Sequence, residues 1–325
     1  MAEWLYEEGI GENRAILVEN EDIIVGAIEL PGEVRCGSVL AGRLALIPLP
    51  GRRGIVETNR GEVMVEPLPA ALTQGQRVRV EIVREPIAEP GKNKFAKGRI
   101  TDSDEREGPT LLERIGEATR VRPRGPDLFG ENGWGTLIDE AMGEVIDFGG
   151  GELRMSLTPA MTLFDVDGFL PPAELAVAGA EAAGFAIRRL DIGGSIGIDL
   201  PTVPAREDRL RAVAALDATL PRPFERTAVN GFGFLQIVRR RERRSLPELV
   251  QWDPAGAAAR DLLRDAEWGG GIGPRTLEAA PAVIARLEAN PDWLQTLERR
   301  IGAPVALRAQ PHFTTWQKHV YARQA

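Results

Sequence analysis

One cysteine and two histidines are the whole supply of thiol and imidazole in a chain of 325 residues. A lone Cys36 cannot build a disulfide framework or a thiolate cluster for zinc, so it reads as a small buried hydrophobe. His312 and His319 both lie close to the C-terminal end of the sequence, which argues against chemistry driven by paired imidazoles. No apolar run approaches the ~20 residues that span a bilayer, and the first residues lack a basic stretch followed by an apolar one. A cytoplasmic location is the expectation. Gly149, Gly150 and Gly151 are not followed by the Gly-Lys-Ser/Thr of a triphosphate-binding loop, so they read as a turn. A cationic excess is missing too: 40 basic residues face 48 acidic ones, a net charge of −8. That balance excludes a protein that coats nucleic acid indiscriminately, and any phosphate contact must come from local basic patches.

What is present is patterned. Residues 4–6, 14–18 and 23–28 are short apolar strands separated by turn residues such as Asn20 and Asp22. Further strands are expected at 38–44, 53–57, 62–66 and 77–83, punctuated by glycine and proline, which suggests a small β-barrel. Residues 77–82 alternate strictly, with Arg77, Arg79 and Glu81 on the solvated face. A basic tongue follows at 91–99, carrying Lys92, Lys94, Phe95, Lys97 and Arg99. A short helix is expected near 109–115, a Pro/Gly/Arg-rich loop at 120–135, a helix at 136–142, and strands near 144–147 and 152–156.

The central section is an α/β unit. A strand at 161–167 leads through Pro171 and Pro172 into an alanine-rich helix at 173–190, then a strand at 195–200, a helix at 206–220 and a strand region at 227–238. Beyond it, Asp253 and Pro254 form a helix start for 255–266, and 274–289 and 293–301 continue as helices before a strand at 305–308. Four segments are therefore expected: 1–30 packing with the catalytic body, a barrel at 31–102, an α/β domain at 103–252 and a small, mostly helical region at 253–325.

Chemistry is concentrated at the ends of the two central strands. Asp165 and Asp167, two apart, share a strand face, and a right-handed crossover returns Asp199 at the matching end of the next strand. Ligand sites in such sheets lie at the carboxyl ends of strands. Converging carboxylates there suit a hard divalent cation, magnesium with manganese as an alternative, since magnesium takes one or two carboxylates and completes its shell with water and phosphate. The plain alternative is that these aspartates only end strands and begin turns.

The segment AMTLFDVDG at 160–168 resembles the metal-site strand A-L-T-x-I-D-x-N-S of the ribonuclease E/G family. RRLDIGGSIGID at 188–199 resembles that family's R-x-L-x-x-L-G-G-x-I-x-I-D-F motif, and GFGFLQIVRR at 231–240 is similar to its F-G-L-L-E-x-x-R segment. GSVLAGR at 37–43 and the stretch 76–87 resemble strands of its S1 barrel. The likeness runs patchily over 17–246. It implies an S1-like, OB-type barrel inserted in a mixed α/β catalytic body of RNase H-like or DNase I-like kind, followed by a helical C-terminal region. It also implies a magnesium-dependent endoribonuclease that cuts single-stranded RNA, leaving 5′-phosphate and 3′-hydroxyl ends. Asp165 and Asp199 then fall on the metal aspartates and Asp167 on the neighbouring asparagine.

Departures from the family pattern shape the expectation. The cysteine pair of the family's zinc link has no counterpart; WGGGIGP at 268–274 stands in its place, so no structural zinc and no zinc-linked dimer is expected, leaving a monomer or another kind of oligomer. The sensor loop for a 5′-monophosphate also has no clear counterpart between 102 and 151. Ile55 and Val65 stand where the barrel would place stacking phenylalanines. The tongue residues Lys92, Lys94, Phe95, Lys97 and Arg99, together with Arg239, Arg240 and Arg243 of the run at 239–244, are the candidate RNA contacts in their stead. Two rivals remain: a catalytically weak RNA-binding protein that retains this fold, and a nuclease acting on DNA.

Overall fold

A computed structural model describes residues 2–89, 91–143, 145–270 and 273–322, without the side chains of Ala88, Lys92 and Asn93. Glu144 of the strand expected at 144–147, and Gly271 and Ile272, therefore lie outside the described residues.

Alternating residues form β1 (Glu3–Glu8), β2 (Asn13–Glu19) and β3 (Asp22–Glu29). Next come β4 (Val39–Leu49), β5 (Arg53–Thr58), β6 (Gly61–Val65) and β7 (Arg77–Arg84). The basic tongue is not one loop: it holds the small hairpin β8 (Ile87–Glu89) and β9 (Lys92–Lys94), and then β10 (Ala96–Thr101). Helix α1 (Leu111–Ile115) starts at Thr110, whose hydroxyl accepts from the Glu113 amide while the Glu113 carboxylate accepts from the Thr110 amide. The loop expected at 120–135 contains β11 (Thr119–Arg120) and α2 (Leu128–Glu131), with α3 (Trp134–Ala141) after it.

The central section runs β12 (Ile146–Phe148), β13 (Gly151–Leu157), β14 (Thr162–Gly168), α4 (Pro172–Arg189), β15 (Gly194–Asp199), α5 (Arg206–Thr219), β16 (Phe224–Arg226) and β17 (Phe234–Arg239). The rest comprises α6 (Leu246–Gln251), α7 (Pro254–Trp268), β18 (Arg275–Ala279), α8 (Pro281–Glu288), α9 (Pro291–Ile301), β19 (Val305–Ala309) and β20 (Lys318–Ala322). Asp253 caps α7 as expected, accepting from the Gly256 amide at 3.1 Å. The helix expected at 274–289 is instead a strand followed by a helix. Arg275–Ala279 is extended because it is the centre of the sheet β19-β18-β20, paired on both edges. Helix periodicity and a short buried strand cannot be told apart there from sequence. Among the described residues no helix is long and apolar enough to cross a membrane.

The chain divides into two compact units. The first gathers 1–31, 117–138 and 248–325. It holds the sheet β11-β1-β2-β3, the three-stranded sheet around β18, and an apolar core built from Ile10, Leu262, Leu263, Leu277, Leu287 and Leu297. Within this unit the turn between β1 and β2 is tied to α7: Arg260 donates to Glu12 at 2.8 Å, and Arg264 also pairs with Glu12. The physical reason is charge: Glu7, Glu12 and Arg14 are buried, and buried ions must be paired.

The second unit spans 32–116 and 139–247. It is a mixed α+β body containing a closed barrel of five strands in the order β10-β6-β5-β4-β7, with β10 parallel to β6. The barrel core comprises Leu44, Val56, Val63, Val65, Val80 and Ile82. Without β10, hidden in the tongue, the barrel could not close, since β10 bridges β6 and β7. The other layer is a six-stranded sheet, β12-β13-β14-β15-β17-β16, in which only β14 and β15 run parallel. Helix α4 lies close on this sheet: a Cβ on Gly179 would stand 2.4 Å from Val166 Cγ1.

Candidate functional site

The parallel pair β14/β15 carries the aspartates. In register, Phe164 stands beside Ile198 and Asp165 beside Asp199. Thr162, Phe164 and Val166 are buried on one face of β14, as are Ile196 and Ile198 of β15, whereas Asp165, Asp167 and Asp199 are exposed on the other. Adjacent strands lie ~4.8 Å apart, so the carboxylates of Asp165 and Asp199 leave the sheet side by side. The alternation that buries the apolar residues under α4 is what turns all three acids to solvent.

Electrostatics agree with that proximity. Partial burial pushes the Asp165 carboxyl above its ordinary value, and the neighbouring charges of Asp167 and then Asp199 push it further, partly opposed by Arg154. Arg154 on β13 stands directly opposite Asp165, donates to Glu152 at 2.8 Å and lies 3.9 Å from Asp167. The alternation of Glu152, Arg154 and Ser156 was visible in the sequence, but nothing there said which strand they would flank. Beside the acids lies an apolar spot: a Cβ on Gly197 would meet the Phe234 ring at 2.6 Å and Leu163 at 2.7 Å, so that glycine makes room for the ring next to Asp199.

Among the described residues no three His, Cys, Asp or Glu side chains come close enough together to hold a metal ion. A divalent ion on this face would therefore rest on two carboxylates and take the rest of its shell from water and substrate. That is the donor set magnesium accepts, and the repulsion at Asp165 is the charge such an ion would relieve.

The other expected site residues lie elsewhere. Arg239 pairs in register with Gly194, at the start of β15, whereas Asp199 ends that strand. Five residue steps separate the two, ~16 Å. The Arg239 guanidinium donates to the carbonyls of Ile192 at 2.7 Å and Ile187 at 3.4 Å. Arg240 pairs with Glu242 at 3.1 Å, and Arg243 with Asp191 at 3.5 Å. The run also joins barrel and sheet, since the Glu85 amide donates to the Glu242 carbonyl at 2.8 Å and Arg244 pairs with Glu33. These arginines are engaged inside the unit and stand apart from the aspartates.

In the tongue, Lys94 pairs with Glu89 and Arg99 with Glu81. Phe95 is 43% exposed, and its carbonyl accepts from Arg84 at 2.7 Å. Lys97 is half-buried beside Met64 in register, and the Lys92 side chain lies outside the described residues. Val65 is buried in the barrel; its neighbour Met64 is the residue that pairs with Ile55 and shares an outer face with Leu46 and Lys97.

No family model matches the chain, and no curated protein is significantly similar to it. The likeness to the ribonuclease E/G family rests on the sequence motifs alone, those at 160–168, 188–199 and 231–240 and the barrel stretches at 37–43 and 76–87.

Sequence reasoning missed three parts of this neighbourhood: Arg154, and the phenylalanines Phe169 and Phe232 just beyond the strand ends, which are 87% and 84% exposed. Their signal was present in the sequence as apolar residues set among glycines and polar turn residues, which ordinarily mark loops.

Proposed function

We propose that the chain is a magnesium-dependent endoribonuclease acting on single-stranded RNA, with Asp165 and Asp199 holding the ion and Asp167 assisting. The observation that carries this reading is the in-register pairing of Asp165 with Asp199 at one solvent-open end of the parallel strand pair β14/β15. When bound there, magnesium would acidify water and neutralise charge on the phosphodiester. The chain's own residues orient and balance charge. Asp165 and Asp199 supply two fixed anionic ligands on a rigid sheet. Asp167 adds a third negative charge on the same face, and Arg154, beside it, offers a cation to a phosphate oxygen. The finer classification belongs to the same proposal: the barrel connectivity, with the first strand between the second and the fourth and the third parallel to the fifth, supports an S1-like OB type, and the sheet supports a nuclease-like catalytic body.

The test is incubation of the purified chain with A/U-rich single-stranded RNA in magnesium, then in EDTA. Cleavage is expected only with the metal, and Asp165→Asn or Asp199→Asn should lower its rate at least a hundredfold, or ~3 kcal/mol of barrier. Cleavage that survives either substitution, or that persists in EDTA, sinks the proposal. The rival reading is a catalytically weak RNA-binding protein that retains this fold; it would bind the same RNA without cutting it.

A further inference from the structure

Phe169 and Phe232 are the most exposed large hydrophobic side chains among the described residues. Water is a poor environment for a phenyl ring, and two such rings beside one acidic strand end stand out on a chain whose aromatics are mostly buried or half-buried. Neither sits on a loose loop. The Phe169 amide donates to the Gly150 carbonyl at 3.2 Å, and the next residue, Leu170, packs on Gly150 so closely that a Cβ there would stand 2.6 Å away. Phe232 belongs to a tight turn in which the Asn230 side-chain oxygen accepts from the amides of Phe232 at 2.9 Å and Phe234 at 3.0 Å. The Thr202 hydroxyl donates to the Phe232 carbonyl at 3.0 Å, and the Leu200 amide donates to Gly233 at 3.2 Å. Gly233 has φ of +96°, and a Cβ there would fall 2.1 Å from the Leu200 carbonyl. The turn is thus tied to the residues that directly follow Asp199.

Position follows from the register. Phe169 lies two residues past Asp167 on β14, and Phe232 two residues before Phe234, the partner of Asp199 on β17. Only β15 separates those strands, so the two phenylalanines extend the two neighbours of β15 beyond the strand end at which Asp199 stands. Asp165, Asp167 and Asp199 are exposed on the strand ends next to these turns, and the apolar residues on the same ground, Leu163 and Phe234, are half-buried. Isolated rings on acidic ground suit neither an apolar protein interface nor an anionic lipid surface. They suit planar groups that stack singly and whose linking phosphates approach acids through a cation.

We infer that Phe169 and Phe232 are stacking platforms for two unpaired bases flanking the phosphodiester at the aspartates, an inference that rests on the nuclease reading above. The rings replace stacking that the barrel lacks, and they select single strands because a paired base has no free face. They are indifferent to base identity, since every base offers a π-face.

The experiment is titration, in calcium in place of magnesium, of an A/U-rich RNA carrying one 2-aminopurine, alongside the same strand with abasic sites and a duplex of the same sequence. Phe169→Ala and Phe232→Ala should each weaken single-strand binding about five- to a hundredfold and remove the fluorescence change of 2-aminopurine stacking. Phe232→Tyr should restore both, and the abasic strand should bind the wild-type chain and the alanine variants alike. Both sites are solvent-facing, and unchanged melting of the variants confirms that folding is intact. The inference is overturned if the double alanine variant binds as tightly as wild type, if the duplex binds as well as the single strand, or if the wild-type chain binds no RNA. Parallel assays in magnesium separate the two ideas. Ring-dependent binding without cleavage refutes the nuclease and supports the stacking platforms; cleavage by the double alanine variant at the wild-type rate and affinity refutes the platforms and leaves the nuclease standing.

Discussion

Asp217 shows how a single charge is placed in this unit. Its carboxyl is held below the ordinary aspartate range, first by the hydrogen bond from Arg226, whose Nε approaches at 2.8 Å. Arg226, on β16, is committed to this partner within the unit. A lowered carboxylate pKa means that the ionised form is the one the fold stabilises, so the contribution is present above the ordinary value and disappears as pH falls through the lowered one. The pair is half-buried and open to solvent on one side, so its worth is small. Asp217→Asn is expected to cost about 0.5–1 kcal/mol at pH 7 and less at pH 3, because the wild-type contribution shrinks once pH falls below the ordinary aspartate value. Denaturant titrations at the two pH values measure the difference; an equal gap at both refutes the linkage. The same logic separates Asp165, whose carboxyl is pushed up by burial and by like charges: the fold there holds an arrangement that a counter-ion would relieve.

Elements are fixed by close approach as much as by hydrophobic pattern. Gly179 on α4 lets the helix descend onto Val166, the residue between Asp165 and Asp167, and Gly184 gives the same freedom against Thr219 of α5, where a Cβ would stand 2.1 Å from the hydroxyl. Gly179→Val would force α4 off the sheet. The expected cost is about 1–3 kcal/mol of overpacking, read as a lower melting temperature, with Val166→Ala recovering part of it by vacating the space. Gly179→Val should also weaken any magnesium-induced rise in melting temperature, because the displaced strand carries the aspartates. A double variant that melts no higher than the single one contradicts this packing. The alanine-rich pattern of α4 was legible as a buried helix, but the glycine contacts that set its height above the sheet were not.

Across the whole molecule, the two units are assembled from discontinuous stretches of chain, and the first is held by charge. Glu12 receives Arg260 at 2.8 Å and pairs with Arg264, both more than two hundred residues away in sequence, while Glu7 receives Arg14 at 2.7 Å. Arg14 lies over the rings of Phe129 at 4.1 Å and Trp134 at 4.9 Å, and burial holds its guanidinium down to about 10. Removing one partner leaves buried charge unpaired. Glu12→Ala should destabilise the first unit by about 3–5 kcal/mol, visible as an earlier calorimetric transition, whereas a surface substitution such as Glu21→Ala should leave that transition in place. Equal melting of Glu12→Ala and wild type would show that the network adds nothing.

Hydrophobic alternation along the sequence was enough to place the first seven strands, helices α4 and α5 and the strands that carry Asp165 and Asp199, because burial on one face of a strand or helix leaves a periodic trace in local sequence. The Asp253 cap was legible for the same local reason. Tertiary pairing alone decided the rest. β10 and β18 are short segments whose extended state depends on partners distant in sequence, so the first was hidden in a basic tongue and the second in an expected helix. The arginine run at 239–244 looked like a phosphate clamp because sequence records charge and not its partners; folding supplied Asp191, Glu242 and Glu33 as those partners. Strand order and alternation in the sequence put Asp165 and Asp199 at matching strand ends, but the nearness of Arg154 arises from strand register, which brings together residues that no local pattern joins.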